Sequence, residues 1–351
     1  MRTALIRVDA KKEIALGHLK RCLCLAQKFR QKNISARFLI ADDKCAGQFL
    51  DKEGFGYTAM DLKTGSPGDC LRTMEEAQRL KADMIIIDSY EIGEGFRQKL
   101  MDKGFLTVSI DDTASARVPS HIIINGNLNA EAMKYDAPEG TMLFLGIRYL
   151  ILGSDFWGIN ASYSESDNID NVLITMGGVD HYDLSTRILK ILEGIDGSFS
   201  VTVIVGPYYD NTAAIEAQAG LMKKDVKLIF APSGLFNYMR ACSLAFCAGG
   251  QTLYELVSLG RPTIGIGLWE NQFGNVSELS AREIILGAFY NESTLFDLSL
   301  EKAVRDFMAK PARRKAMAAN GLKLIDGNGA ERVCQGLISA CDSNKAAGRL
   351  L

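Results

Sequence analysis

Residues 244–255 read Leu-Ala-Phe-Cys-Ala-Gly-Gly-Gln-Thr-Leu-Tyr-Glu: an unbroken apolar run, two glycines, then a stretch with helical spacing. An apolar run without alternation suits a strand in a parallel sheet covered on both faces. A strand that turns at glycines into a helix is the repeating unit of doubly wound α/β proteins. Two other places repeat the pattern. Ala4 to Val8 is followed by a helix opening at Gly17-His18-Leu19-Lys20-Arg21, and Val172 to Thr175 by Met176-Gly177-Gly178-Val179-Asp180.

Further short aliphatic runs extend the alternation in both directions. In the first half, strands are expected at Ala36 to Ile40, Met84 to Ile87, Leu106 to Ile110, Ile122 to Ile124 and Met142 to Leu145. Helices are expected at His18 to Lys32, Asp69 to Lys81 and Gly93 to Lys103. On the first of these, Leu19, Cys22, Leu25, Ala26 and Phe29 form one apolar stripe. Gly153 to Asp170 is rich in Ser, Asn, Asp and Glu and reads as a linker. A second round follows, with strands at Ser200 to Val205, Val226 to Phe230, Leu244 to Cys247 and Thr263 to Ile266, and a helical tail ending at Ala330 to Ala340. The expectation is an α/β chain of two Rossmann-like doubly wound domains, residues 1–155 and 168–341.

With 351 residues, two hydrophobic cores are expected. The net charge of -2, with Lys and Arg spread along the chain, argues against nucleic acid as the partner. No apolar run is long enough for a membrane span, and Arg2 to Val8 followed at once by polar Asp9 to Glu13 does not read as a signal peptide. Eight cysteines form no CxxC pair. Reduced thiols used as small hydrophobes point to a cytoplasmic setting. Oligomeric state is left open.

Ligands of open parallel sheets bind beyond the carboxyl ends of the strands, where these glycine turns lie. Free amides at a helix start form a cradle for phosphate. Glycine there also serves simple tight turns, and for Gly177-Gly178 that reading is as good. In Gly249-Gly250-Gln251-Thr252, a carboxylate one helical turn on, Glu255, is placed to reach a ribose diol while Gln251 and Thr252 meet phosphate oxygens. Neither a GxxxxGK[ST] loop nor a clean GxGxxG occurs, which disfavours ATP hydrolysis and simple NAD binding. His18 either caps the helix start or, as a neutral imidazole, takes a proton near pH 7. Asp88 is read equally as a turn cap or a functional carboxylate. Asn271 with Gln272 either caps a helix or touches sugar hydroxyls or diphosphate. Asp111-Asp112 shape a loop or hold Arg21, and His121 and His181 read as solvated or structural.

Together these stretches resemble the PseG-type UDP-sugar hydrolases and the related SpsG-like spore-coat proteins. Gly17 to Ala26 is similar to G-H-x-x-R-x-L-x-L-A, Asp88-Ser89-Tyr90 to D-x-Y, and Ile110-Asp111-Asp112 to I-D-D. Met176 to Asp180 resembles M-G-G-x-D, Gly249 to Glu255 resembles G-G-x-T-x-x-E, and Glu270-Asn271-Gln272 contains the NQ motif. Asp326 to Val333 is similar to D-G-x-G-x-x-R-V. The chain departs from the pattern at Ile14-Ala15, where a turn glycine is usual, and at Leu152, Gly153 and Asp155, where an Arg and a Glu are usual.

The resemblance implies a GT-B type fold with a central cleft and no metal or other cofactor. It implies water attack on the anomeric carbon of UDP-2,4-diacetamido-2,4,6-trideoxy-β-L-altropyranose, within pseudaminic acid synthesis. A GT-B glycosyltransferase, or a hydrolase of a related nucleotide-linked amino sugar, stands as the alternative. His18, Tyr90 and Asn271 are the implied catalytic residues. Gly17, Arg21, Gly177, Gly178, Ile229, Ala231, Gly249, Gly250, Gln251, Thr252, Glu255 and Gln272 are the implied substrate contacts, with Ile229 to Ala231 at the uracil edge.

Overall fold

The computed structural model describes residues 2–10, 16–159, 168–293 and 295–346. Ile14, Ala15 and the middle of the expected linker lie outside them. The chain divides into two compact units, Met1–Trp157 with Gly327–Leu351, and Gly158–Asp326.

The first unit alternates β1 (Arg2–Val8), α1 (Gly17–Gln31), β2 (Ile34–Ala41), α2 (Lys44–Lys52), β3 (Gly56–Met60), α3 (Pro67–Leu80), β4 (Met84–Asp88) and α4 (Glu94–Asp102). It continues with β5 (Thr107–Ile110), β6 (Ile122–Asn125) and β7 (Met142–Leu145). Its sheet is parallel in the order β3-β2-β1-β4-β5-β6-β7, so the winding reverses between β1 and β4. There Val8 pairs with Asp88, and both strands end side by side. β1 and β4 are central because they are apolar on both faces: Leu5, Ile6, Ile85, Ile86 and Ile87 are fully buried. The α1 stripe of Leu19, Cys22, Leu25, Ala26 and Phe29 is also fully buried. Each buried Leu, Ile or Phe among them contributes roughly 1.5–3 kcal/mol of hydrophobic stabilisation. Arg7, fully buried on β1, is held bidentately by Asp69 of α3 at 2.9 and 2.8 Å. That pair ties α3 beneath the central strand.

The second unit runs β8 (Asn171–Thr175), α5 (Leu184–Glu193), β9 (Ser200–Val205), α6 (Thr212–Leu221), β10 (Val226–Phe230), α7 (Phe236–Ala241), β11 (Leu244–Ala248), α8 (Gln251–Ser258) and β12 (Thr263–Gly267). It closes with α9 (Glu270–Ala281), β13 (Leu286–Phe289), α10 (Phe296–Met308) and α11 (Pro311–Leu324). The parallel order β10-β9-β8-β11-β12-β13 reverses between β8 and β11.

β3 and β13 were not anticipated. Both are edge strands, mostly half-buried or exposed; β3 (Gly56-Tyr57-Thr58-Ala59-Met60) carries no aliphatic run, and β13 lies in an apolar run, Ile284 to Tyr290, interrupted by Gly287. The final helix, α12 (Gly329–Ala346), corrects the expected second domain of 168–341, because it packs on the first unit. Val333, Cys334 and Leu337 are buried, and Glu331 pairs with Lys32 at 2.6 Å and Lys28 at 3.4 Å. Gly329 is required there: a Cβ at that position would lie 2.0 Å from the Leu150 carbonyl oxygen.

Candidate active site

In the first unit the reversal point between β1 and β4 gathers a connected polar cluster. His18 opens α1, and its Nδ1–H donates to Asp88, the last residue of β4. Arg21, one helical turn on, donates through Nε and Nη2 to the same carboxylate at 2.5 and 2.6 Å, and through Nη1 to Asp112 at 2.9 Å. The Tyr90 hydroxyl donates to the other Asp112 oxygen at 2.8 Å, and its ring meets the His18 ring edge-on at 4.5 Å between centroids.

Burial alone would raise the Asp88 pKa, but Arg21 and His18 outweigh it and hold the carboxyl well below its usual range. Burial and the Asp112 carboxylate both push the Tyr90 hydroxyl up, so it stays protonated. Burial opposes the Arg21 charge, yet Asp88 and Asp112 raise its pKa well above the usual value. The result is an ionised carboxylate, which can only accept, holding the imidazole through its Nδ1–H. Asp9, just beyond β1, is 2% exposed, and among the described residues neither carboxylate oxygen meets a partner at hydrogen-bond geometry, though the Ser89 hydroxyl acts on it. The Arg7 guanidinium lies 3.7 Å from it. Burial raises its pKa.

In the second unit, Gly249 and Gly250 link β11 to α8, whose N-cap position, Gly250, has no side-chain cap among the described residues. The two glycines do different things. A Cβ on Gly249 would lie 2.7 Å from Val276 and 3.1 Å from Gln272 Cβ, so Gly249 admits α9. Around Gly250 there is open space within 4 Å. Gln251 donates to Glu255 at 3.5 Å, which places both polar side chains beside the uncapped helix start, with Thr252 next in the same turn. Gln272 accepts from the Leu268 amide at 3.0 Å, and Asn271 stands half-buried in the first turn of α9, whose N-cap position is Trp269.

Gly177 is exposed at φ 90°, with open space around it, and Gly178 accepts from the Tyr208 amide at 2.9 Å. The Asp180 that follows is a helix cap, accepting from the Leu184 and Ser185 amides at 2.9 Å each. Ile229 lies in β10, and the Ala231 amide is spent on the Val205 carbonyl at 2.9 Å. Among the described residues, no group of three or more His, Cys, Asp or Glu is placed to hold a metal ion.

The structure thus joins His18, Arg21 and Tyr90 in one network adjoining Gly17. It joins Gly249, Gly250, Gln251, Thr252, Glu255 and Gln272 around one helix start. Asp88 as the His18 partner was legible only as half of a D-x-Y pattern, and Asp112 only as a partner for Arg21. His121 proves structural, its Nδ1 accepting from the Thr107 amide at 3.1 Å. His181 packs edge-on to Trp269.

Residues 171–333 match the glycosyltransferase family 28 C-terminal domain. The chain is 25% identical over 274 residues to the uncharacterized protein MJ1062 of Methanocaldococcus jannaschii, which covers 75% of this chain and 55% of that one. It is 23% identical over 342 residues to the spore coat polysaccharide biosynthesis protein SpsG of Bacillus subtilis, covering 93% and 95%. To the pseudaminic acid cytidylyltransferase and UDP-2,4-diacetamido-2,4,6-trideoxy-beta-L-altropyranose hydrolase of Helicobacter pylori it is 26% identical over 286 residues, covering 79% and 46%. The chain spans about half the length of the first and third of these relatives.

Among solved structures, MurG of Acinetobacter baumannii superposes with a TM-score of 0.69 at 14% identity, covering 95% of this chain and 99% of that one. The spinosyn rhamnosyltransferase SpnG complexed with thymidine diphosphate gives 0.65 at 17% identity, with the same coverage. The fold is therefore of GT-B type, two Rossmann-like parallel-sheet domains.

Proposed function

We propose that this chain hydrolyses a UDP-linked, N-acetylated amino sugar, releasing UDP and the free sugar. The observation that carries the reading is the Asp88–His18 pair at the reversal point of the first sheet. Asp88 accepts the Nδ1 proton and stays ionised, so Nε2 carries the lone pair. In the proposed step Nε2 takes a proton from water as the oxygen bonds to the anomeric carbon. The bond from that carbon to the phosphate oxygen breaks, and UDP departs with the electron pair. Asp88 steadies the imidazolium formed. Tyr90, whose hydroxyl is committed to Asp112, contributes its ring as one wall beside the imidazole.

The second unit receives the nucleotide in this reading. The uncapped start of α8, with open space at Gly250, suits the diphosphate, and Glu255 suits the ribose diol. Asn271 is assigned to the sugar, and Gly177 and Gly178 to the approach to the phosphates. Support comes from the resemblance to hydrolases named for such a substrate and from the solved GT-B structure of SpnG complexed with thymidine diphosphate. The specific sugar proposed is the 2,4-diacetamido-2,4,6-trideoxy hexose named for the Helicobacter relative. The step is proposed to need no metal, and cysteines used as buried thiols, such as Cys22, Cys70 and Cys247, fit a reducing, cytoplasmic setting.

The family 28 match favours one rival, transfer of the sugar to an acceptor hydroxyl. The test is incubation with the UDP-sugar alone. The unaltered protein should release free sugar without acceptor and in excess chelator. His18→Asn should lose about 10²–10⁴-fold in turnover with UDP affinity nearly unchanged. Sugar release only when an acceptor is added would establish transfer, and full turnover in His18→Asn would place the base elsewhere.

A further inference from the structure

Trp269 stands at the carboxyl end of β12, immediately before the Asn271 turn, and 45% of it is exposed. A tryptophan so exposed is unusual for a core-forming side chain, yet this one is not loose. Tyr182 packs against it at 5.5 Å between ring centroids, and His181 meets it edge-on at 5.7 Å. Tyr182 is itself held by Tyr290 at 4.3 Å. These side chains come from the loops after β8, β12 and β13, so the sheet end presents a braced indole at its ligand-binding edge. Polar groups flank it, with His181 exposed on one side and Asn271 two residues on. A half-exposed indole with polar neighbours matches an amphipathic ligand, which a sugar with N-acetyl substituents is.

We propose that Trp269, braced by Tyr182 and His181, is the specificity platform that stacks on the apolar face of the acylated sugar. This rests on the proposed function and deepens it: the nucleotide is gripped at α8, whereas Trp269 distinguishes an N-acetylated sugar from a plain hexose. A plain hexose offers hydroxyls where the substrate offers methyls, and it gains less from the indole face.

The test uses calorimetry of the full chain with three probes: UDP, UDP-glucose and UDP-N-acetylglucosamine. The unaltered protein should bind the acetylated sugar nucleotide about three- to tenfold tighter than UDP-glucose, the range of one aromatic contact. Trp269→Leu, which keeps apolar bulk against Tyr182, should erase that difference and leave UDP affinity within about twofold. Trp269→Phe should retain part of it. A second readout does not depend on any variant of the platform. The chain has two tryptophans, Trp157 and Trp269, so in Trp157→Phe the emission reports Trp269 alone. That emission should shift with the acetylated sugar nucleotide and stay unchanged with UDP. If Trp269→Leu keeps the full preference, or weakens all three probes alike, the platform is refuted. If the unaltered protein binds UDP but shows no preference, the platform fails and the nucleotide reading stands. If it binds none of the three, the nucleotide reading itself fails, and the platform with it.

Discussion

Asp88 is the residue on which the first-unit cluster turns, since one carboxylate receives both His18 and Arg21. Its depressed pKa means the folded state binds fewer protons than the unfolded one. Its contribution to stability is therefore fully present above the unfolded value of about 4 and is lost as pH falls through the folded value. Asp88→Asn leaves Arg21 with a partner in Asp112 but frees the imidazole tautomer. Turnover should fall by about 10²–10⁴-fold while UDP affinity holds, and urea unfolding should show a loss of about 3–5 kcal/mol, the cost of breaking one side of a buried pair. Asp9 has the opposite sign. Its pKa is raised by burial, so the folded state is favoured when it is protonated, and that advantage disappears as pH rises through the folded value. Asp9→Asn should accordingly raise the melting temperature at pH 7 and have little effect near pH 3. A lower melting temperature at pH 7 would mean that the charge itself is needed there.

At the scale of elements, each unit places its candidate residues by the same device. A central strand apolar on both faces ends at the reversal of winding, and a helix starts beside it. The His18 cluster and the α8 turn owe their positions to this, and α12 owes its position to a close approach. Adding one methyl at Gly329 drives a Cβ into the Leu150 carbonyl and must push α12 off the first unit. Gly329→Ala should destabilise by about 1–3 kcal/mol, with protease cleavage appearing first around α12. Unchanged stability would show that the helix shifts at no cost.

At the scale of the whole molecule, the chain leaves its first unit at Trp157 and returns to it at Gly327. The second unit, Gly158–Asp326, is thus one continuous segment with its own core, including Ile174, Val203, Phe246 and Ile264. Expressed alone it should fold and bind UDP with an affinity close to that of the full chain. Residues 1–157 without α12 should instead unfold at lower denaturant, because the α1 face loses its cover and Lys28 and Lys32 lose Glu331. Equal midpoints for 1–157 and the full chain's first unit would contradict this.

Apolar runs at Ile85 to Ile87 and Val201 to Val205 are strands whatever surrounds them, because a run buried on both faces carries its own signal. Order along the chain then dictated two doubly wound sheets and put the glycine turns at their strand ends. The edge strand β3 escaped notice because Gly56 to Met60 has no aliphatic run, and β13 because Gly287 interrupts its run just after the α9 helix. His18, Arg21, Tyr90 and the Gly249 to Glu255 turn were legible as residue types at strand ends. That Asp88 holds His18, that Asp112 takes the Tyr90 hydroxyl, and that Gly249 serves packing while Gly250 stays open were decided only by tertiary structure. The Trp269–Tyr182 contact and the return of α12 to the first unit are of the same kind. Each joins groups from distant parts of the chain, and a one-dimensional pattern records spacing along the backbone, not which side chains the fold brings within contact.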